Sequence, residues 1–496
     1  MKNLLTAKQM READAYTVKH REITSLDLME SASRAFVNAF AEEVPDHETS
    51  IGVLCGKGNN GGDGLAVARL LKDIGYSNVF VYLVNFSAKE SEDYTANLKR
   101  LEDLWFPMLK VERAEDLPDL KEKVIIDAVL GSGLNAELEG PYKQLVLAVN
   151  KMNKQVIAID VPTGFPAEGN LKKEGVYLKA DIVICFERPK INFFFPESAG
   201  AMKHFRVVSI GLDEEFIQNC QSSYHLLEAS DLRELVKPRE SFSHKGTYGH
   251  ALIIAGQRQT MGAALLAARA CLHAGAGLTT VSIPESGLTA LNTALPEVMY
   301  LDRTDLSPKN VQKLNTIAIG PGLGTGTEST ELLKNILLLN RPLIIDADAL
   351  NILGNLPELM DQLPDGTILT PHMKEFDHLF GTQESWWDRL ETARRKAVEL
   401  NCVIILKNQY TFIIEQSGNV VINSTGNPAM AQGGMGDVLT GLAASFLAQG
   451  YTAKQAAFIA CYLHGKSGDE LAEAQVSVSA SAVADHVSQA LKGLIK

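Results

Sequence analysis

The sequence predicts an α/β protein built from two parallel-sheet domains. Apolar strands without polar alternation recur along the chain and alternate with segments of helical period, as strands buried on both faces do. Most of these strands run into a turn rich in glycine, aspartate or asparagine. The 496 residues exceed one ordinary core. A polar stretch at 212–243, with Pro238 and Ser241-Phe242-Ser243, separates two such series. The boundary is placed near 220, giving domains 1–219 and 220–496.

Composition narrows the function. Hydrophobic residues at 46% against 22% charged residues describe a globular chain. A net charge of -13 argues against a general nucleic-acid or anionic-membrane binder, which needs a basic face. It leaves room for a phosphorylated small molecule at a local site. The 6 cysteines have no CxxC spacing and read as thiols of a reducing compartment. Met1-Lys2-Asn3-Leu4-Leu5 turns polar at once, and no apolar run approaches a membrane span. A cytoplasmic protein is expected.

In the first domain, residues 7–20 and 26–43 carry apolar residues at helical spacing, with Thr6 and Ser25 as N-caps. A strand from Ser50 to Cys55 enters the turn Gly56-Lys57-Gly58-Asn59-Asn60-Gly61-Gly62-Asp63-Gly64, and a helix runs from about Leu65 to Ile74. The G-x-G-x-x-G there is a dinucleotide-type pattern. The next strand, Val79 to Val84, ends at Asn85 and lacks the acidic residue that takes a ribose hydroxyl. Two asparagines and Asp63 inside the turn therefore suggest direct side-chain work. Strands ending at Asp127 and Asp160 lead to Gly131-Ser132-Gly133-Leu134-Asn135-Ala136-Glu137 and to Val161-Pro162-Thr163-Gly164. Ligands of parallel sheets bind beyond the carboxyl ends of the strands. Asn60, Asp127, Asp160 and Thr163 would project there, although each alone is more readily a turn-former. Their oxygen donors suit a hard cation without naming it. Strands 181–185 and 205–210 complete the domain, and Phe193-Phe194-Phe195 reads as packing.

The second domain begins at Lys245-Gly246-Thr247-Tyr248-Gly249-His250, followed by a strand to Ala255. Met261-Gly262-Ala263-Ala264 opens a small-residue helix suited to tight packing more than to a flat ligand, and strand Leu278–Ile283 follows. Later strands end in Gly320-Pro321-Gly322-Leu323-Gly324, Asp346-Ala347-Asp348, Thr370-Pro371-His372 and Lys407-Asn408-Gln409-Tyr410-Thr411, again as a parallel sheet. His372 with Glu375 lacks a third ligand at zinc spacing. It reads equally as a substrate contact or a turn histidine, and Lys407 as a phosphate partner or a solvated lysine. The last turn, Gly433-Gly434-Met435-Gly436-Asp437, enters an apolar helix, Val438 to Gln449. Bare glycine backbone and free N–H groups at a helix start hold anions. Asp437 at that start is either a base for a hydroxyl beside a nucleotide phosphate or an ordinary helix-start aspartate.

These motifs together resemble the bifunctional NAD(P)H-hydrate repair enzymes over nearly the whole chain. The first half resembles the epimerase domain, a three-layer Rossmann-like fold with a parallel sheet. The resemblance implies that Asn59, Asn60, Gly61, Gly62 and Asp63, with Gly131, Ser132, Gly133, Leu134, Asn135, Ala136 and Glu137, hold the hydrate. Asp160 would bind it and act on it, and Asn60, Asp127 and Thr163 would hold potassium. The second half resembles the ribokinase-like dehydratase. By that resemblance Ala263, Gly322, His372 and Asp437 contact the S hydrate, and Asp437 is the base. Lys407, Asn408, Gln409, Tyr410, Thr411, Gly433, Gly434 and Gly436 serve the adenine nucleotide. ADP is expected as co-substrate because the fused architecture resembles bacterial members, with ATP the alternative, and magnesium accompanies the nucleotide. The expected partners are NADHX, NADPHX and the nucleotide in a homo-oligomer, with no nucleic acid and no membrane. The rival readings are a ribokinase-like small-molecule kinase with an accessory domain, and a non-catalytic nucleotide sensor.

Overall fold

The structure is a computed structural model that describes residues 1–133, 137–171 and 175–495. It divides into two compact units. The first comprises Asn3–Ser222 with Ser385–Trp387, and the second Met1–Lys2, Ser223–Glu384 and Asp388–Lys496.

The first unit carries a seven-stranded sheet among the described residues. Its order is Met108–Val111, Val79–Val84, Ile51–Cys55, Val124–Ala128, Gln155–Ile159, Ala180–Phe186, Met202–Val208. Every neighbouring pair is parallel. The chain turns outward in both directions from Ile51–Cys55, so right-handed crossovers place helices Asn59–Asp73 and Gly140–Lys151 on opposite faces. Strands such as Val124–Ala128 are buried along their whole length, which explains their unbroken apolar sequence. Phe193, Phe194 and Phe195 are buried, as packing residues should be.

Two local expectations shift. The second helix, Ser25–Glu43, is capped by Thr24 and not Ser25; Thr24 and Asp27 complete a reciprocal capping box. The helix expected from Leu65 begins at Asn59, so Asn59, Asn60 and Asp63 belong to its first turns. Glycines survive there because the backbone packs too closely for a side chain. A Cβ on Gly61 would stand 1.6 Å from the Gly56 carbonyl oxygen.

The second unit carries an eleven-stranded sheet among the described residues. It is parallel from Val403–Leu406 through Ile368–Leu369, Leu343–Ile345, Thr316–Ile319, His250–Ile254 and Leu278–Ser282 to Met299–Tyr300. The expected parallel sheet is in fact mixed. Thr411–Ile414 and Val420–Asn423 form an antiparallel hairpin beside Val403–Leu406. Their apolar runs are too short for periodicity to disclose strand direction. The alanine-rich helix Met261–His273 packs through Ala264, Ala267 and Ala268 within the same core as Val438, Leu442 and Ala443. The last glycine turn also differs: its helix begins at Met435, so Asp437 is the third helical residue. Gly434 precedes it with φ 91°, a conformation that glycine adopts without strain. Among the described residues no helix is long and apolar enough to cross a membrane.

Candidate active sites

In the first unit, strand succession reverses between Ile51–Cys55 and Val124–Ala128, the position at which such sheets open a crevice. A cavity of about 420 Å³ lies there. Asn59, Asn60 and Asp63 line it from the helix start, and Gly131, Ser132 and Gly133 from the next strand's loop. Asp160 lines it from the end of Gln155–Ile159. Gly61 and Gly62 are buried and do not line it, and Glu137 is exposed. Leu134, Asn135 and Ala136 lie outside the described residues.

Asp160 has φ +62°, a left-handed conformation costly for a non-glycine residue and frequent at working sites. Its Oδ1 accepts a hydrogen bond from the Phe186 N–H at 3.1 Å and pairs with Lys190 Nζ at 2.7 Å. Lys190 is only 4% exposed. Burial opposes its charge, but the Asp160 carboxylate holds the ammonium above its ordinary range. Lys190 gave no sequence signal, because a single lysine after a buried strand has no spacing to betray it. Asp14, from helix Ala7–His20, also lines the cavity. Asp63 is raised well above the carboxylate range by burial, with Asp160 and Asp14 adding to it.

Asp127 is fully buried below this cavity. Its carboxylate accepts hydrogen bonds from Thr163 N at 2.7 Å, Thr163 Oγ1 at 2.6 Å and Val129 N at 3.3 Å. Burial nevertheless pushes it up to about 6 against those three bonds. Among the described residues the Asn60 Nδ2 is buried without a hydrogen-bond partner. That nitrogen is a donor and holds no cation, but Asn60, Asp127 and Thr163 also carry oxygen atoms, and among the described residues the Asp127 carboxylate has no paired cation, a set that a hard monovalent cation fits.

In the second unit the strand-end loops interlock. Thr260 Oγ1 donates to the Gly322 carbonyl at 2.6 Å, and Ala263 N–H to the Thr260 carbonyl at 3.2 Å, so Ala263 and Gly322 share one rim. Gly324 N–H donates to Asp348 Oδ2 at 2.7 Å. His372 caps helix Met373–Phe380: its Nδ1 accepts from the Glu375 N–H at 3.1 Å, and its ring is exposed. Lys407 bridges Asp346 at 2.9 Å and Glu375 at 3.9 Å. Burial opposes its charge, yet Asp346 and Glu375 raise its ammonium above its usual range. Asp346, 1% exposed, also accepts from Thr370 Oγ1 and Thr440 Oγ1, each at 2.7 Å.

The pair faces the glycine-led helix. An atom at the Cβ position of Gly436 would lie 3.4 Å from Lys407 Nζ and 3.9 Å from Asp346 Oδ2. Asp437 follows. Burial pushes its carboxyl up to about 6, with Asp346 and Asp348 adding to the rise and Lys407 opposing it. A carboxyl tuned toward neutrality is suited to proton transfer. The helix start supplies N–H groups and a positive dipole end beside it.

A cavity of about 490 Å³ opens against this helix start. Lys407, Asn408, Gln409, Thr411 and Gly436 line it. Tyr410, Gly433, Gly434 and Asp437 are not among its lining residues, nor are Ala263, Gly322 and His372. The sequence reading missed His464, which lines the cavity from helix Ala453–Ala472. Burial lowers its imidazole to about 4, a hydrogen bond to the Met435 backbone opposes this, and among the described residues the buried Nε2 has no partner. Nothing in an apolar helix distinguishes such a histidine from a core one.

Comparison with known proteins assigns both halves. Residues 251–491 match the NAD(P)H-hydrate dehydratase family and residues 25–192 the YjeF-related protein N-terminus family. The bifunctional NAD(P)H-hydrate repair enzyme Nnr of Moorella thermoacetica is 33% identical over 99% of this chain and 97% of its own. Its Escherichia coli namesake is 32% identical over 91% and 86%. A ribokinase-like superfamily protein from Enterococcus faecalis, known from its crystal structure, is 32% identical, with a TM-score of 0.52, over 55% of this chain and 96% of that one. The second unit is therefore ribokinase-like. The similarity to the Moorella protein runs through both units from end to end, and the chain belongs to the family of bifunctional NAD(P)H-hydrate repair enzymes.

Proposed function

We propose that this chain repairs hydrated NADH and NADPH in two steps divided between residues 1–219 and 220–496. The first part interconverts the R and S hydrates. The second dehydrates the S form with ADP, releasing AMP, phosphate and the reduced cofactor. The observation that carries the reading is the placement of Asp437 in the first turn of a glycine-led helix, with Lys407 and Asp346 against the same turn. Family membership across both units supports the pairing of activities.

In the second site, Asp437 takes the proton of the C6 hydroxyl as that oxygen attacks the terminal phosphorus of the nucleotide. The O–P bond to the AMP oxygen breaks. The backbone N–H groups from Gly433 to Gly436 stabilise charge on the moving phosphoryl group. Phosphate is a far better leaving group than hydroxide. Cleavage of the C6–O bond with loss of a C5 proton restores the ring double bond. Magnesium, bound mainly through phosphate oxygens, would neutralise charge on the nucleotide, with Asp346, Asp348 and Asp437 the nearby carboxylates. In the first site, Asp160 is the proton-transfer group, positioned by its ion pair with Lys190. Potassium at Asn60, Asp127 and Thr163 would fix the loops around the hydrate.

The experiment is recovery of reduced-cofactor absorbance from separated R and S hydrates with ADP or ATP. Asp160→Ala should abolish use of the R form and spare the S form. A stable phosphorylated product without recovered NADH would replace this reading with that of a small-molecule kinase.

A further inference from the structure

The first cavity contains more acid chemistry than one carboxylate explains. Configuration at a hydroxylated carbon beside a ring nitrogen is reversed when the hydroxyl leaves and water returns to the other face. Hydroxide leaves poorly, so one group must protonate it, and another must take a proton from the entering water. A single ionised carboxylate does not begin with both capacities. Asp160 suits the second task, because its Oδ1 lies 2.7 Å from the Lys190 ammonium in the wall of the cavity.

Asp14 suits the first. It reaches the cavity from helix Ala7–His20, a different wall from the strand end that carries Asp160. It also lines a second cavity of about 440 Å³ that shares Arg11, Asn59 and Asp63 with the first, so the residue borders both. It is half-buried, and among the described residues it makes neither a hydrogen bond nor an ion pair. Burial pushes it up to about 6. Lys190 and Arg11 oppose the rise, and Asp160 and Glu187 add to it. Of these two carboxyls in one cavity, Asp160 is paired with a cation and, among the described residues, Asp14 is not; such a difference in surroundings separates acid from base roles in other enzymes. The third carboxyl, Asp63, lies beside Asn59 and Asn60 on the helix start.

We infer that Asp14 is the general acid of the first cavity, protonating the C6 hydroxyl of the hydrate while Asp160 receives the proton of the water that replaces it. The C6–O bond breaks, water departs, and the ring-nitrogen lone pair forms an N1=C6 iminium bond. Water adds to the opposite face of C6, and its proton goes to Asp160. One water leaves and one enters, no electrons are exchanged with a reductant, and solvent returns the proton from Asp160 to Asp14. This inference rests on the epimerase reading and adds a catalytic residue to it.

The test uses the full chain. R-to-S conversion is followed by chromatographic separation of the epimers from about pH 5.5 to about pH 8.5, with the uncatalysed rate subtracted. The wild-type rate should fall as pH rises through the titration of the acid. Asp14→Asn should lose roughly a hundredfold and abolish that pH limb, and Asp14→Glu should restore part of both. Dehydration of the S hydrate by the second unit should be unchanged in each variant, and the partial rescue by Asp14→Glu excludes a folding defect of the first. An Asp14→Asn rate within about threefold of wild type, or a slower rate that keeps the same limb, overturns the assignment. Loss of the limb in Asp63→Asn alone would transfer the role to Asp63. A wild-type chain that dehydrates the S hydrate but never epimerises would instead sink the epimerase reading.

Discussion

Lys407 Nζ lies 2.9 Å from Asp346 Oδ1, joining strand ends 61 residues apart, with Thr370 and Thr440 hydroxyls completing the Asp346 carboxylate. The pair has both a structural and a functional consequence. Lys407→Met leaves Asp346 buried without its cation and should cost about 3 kcal/mol of stability, read as a lower melting temperature of the full chain. Lys407→Met with Asp346→Asn removes both charges and should recover much of that loss without restoring nucleotide use. Full recovery of dehydration in the double variant would reduce the pair to a structural one.

Asp437→Asn tests the proton-transfer role separately from binding. The amide keeps the size of the side chain and leaves the helix start in place. Turnover of the S hydrate should fall by at least about a hundredfold while nucleotide affinity changes little, since a general base contributes mainly in the transition state. Equilibrium binding and single-turnover rates measured on the same preparation distinguish these. An equal loss in both would assign Asp437 to nucleotide binding.

Asp127 is a buried carboxylate whose hydrogen bonds, among the described residues, come only from Thr163 and Val129. A bound monovalent cation would supply the missing charge. Replacing potassium by tetramethylammonium, which is too large and offers no coordination, should lower the melting temperature and slow epimerisation while S-hydrate dehydration persists. Asp127→Asn should melt at the same temperature in both salts. An equal salt response in wild type and variant would remove the cation from this site.

The sheets were legible because continuous apolar runs such as Val79–Val84 and Thr316–Ile319 have few alternatives to a doubly covered strand. The turn motifs were legible as chemistry but not as geometry. The glycines of Asn59-Asn60-Gly61-Gly62-Asp63-Gly64 look like a loop, and only the packing of Gly61 on Gly56 explains why this helix start excludes a side chain. Asp346 was visible as a strand-end aspartate. Its partners were not, because Lys407 and Thr440 meet it across 61 and 94 residues. Asp14 escaped because an aspartate on an amphipathic helix reads as solvated until the opposite wall of its cavity is known.

His464 makes the acid side of the stability curve informative. Its imidazole titrates near 4 when folded, against the ordinary 6.5, because burial disfavours the cation. As pH falls from about 6.5 to about 4, the unfolded chain takes up a proton that the folded chain refuses, and stability is lost across that window. The shift corresponds to roughly 3 kcal/mol. Asp437 and Asp127, both raised toward 6, act in the opposite sense, since their folded forms accept protons before the unfolded chain does. The informative quantity is therefore the difference between wild type and His464→Asn, whose amide does not titrate. Melting temperatures recorded from about pH 7 down to about pH 4 should converge or cross, with the wild type losing more. Because His464 lines the cavity at the Met435 helix start, nucleotide should bind more weakly to His464→Ala than to wild type. Parallel melting curves together with unchanged nucleotide affinity would leave His464 a packing residue.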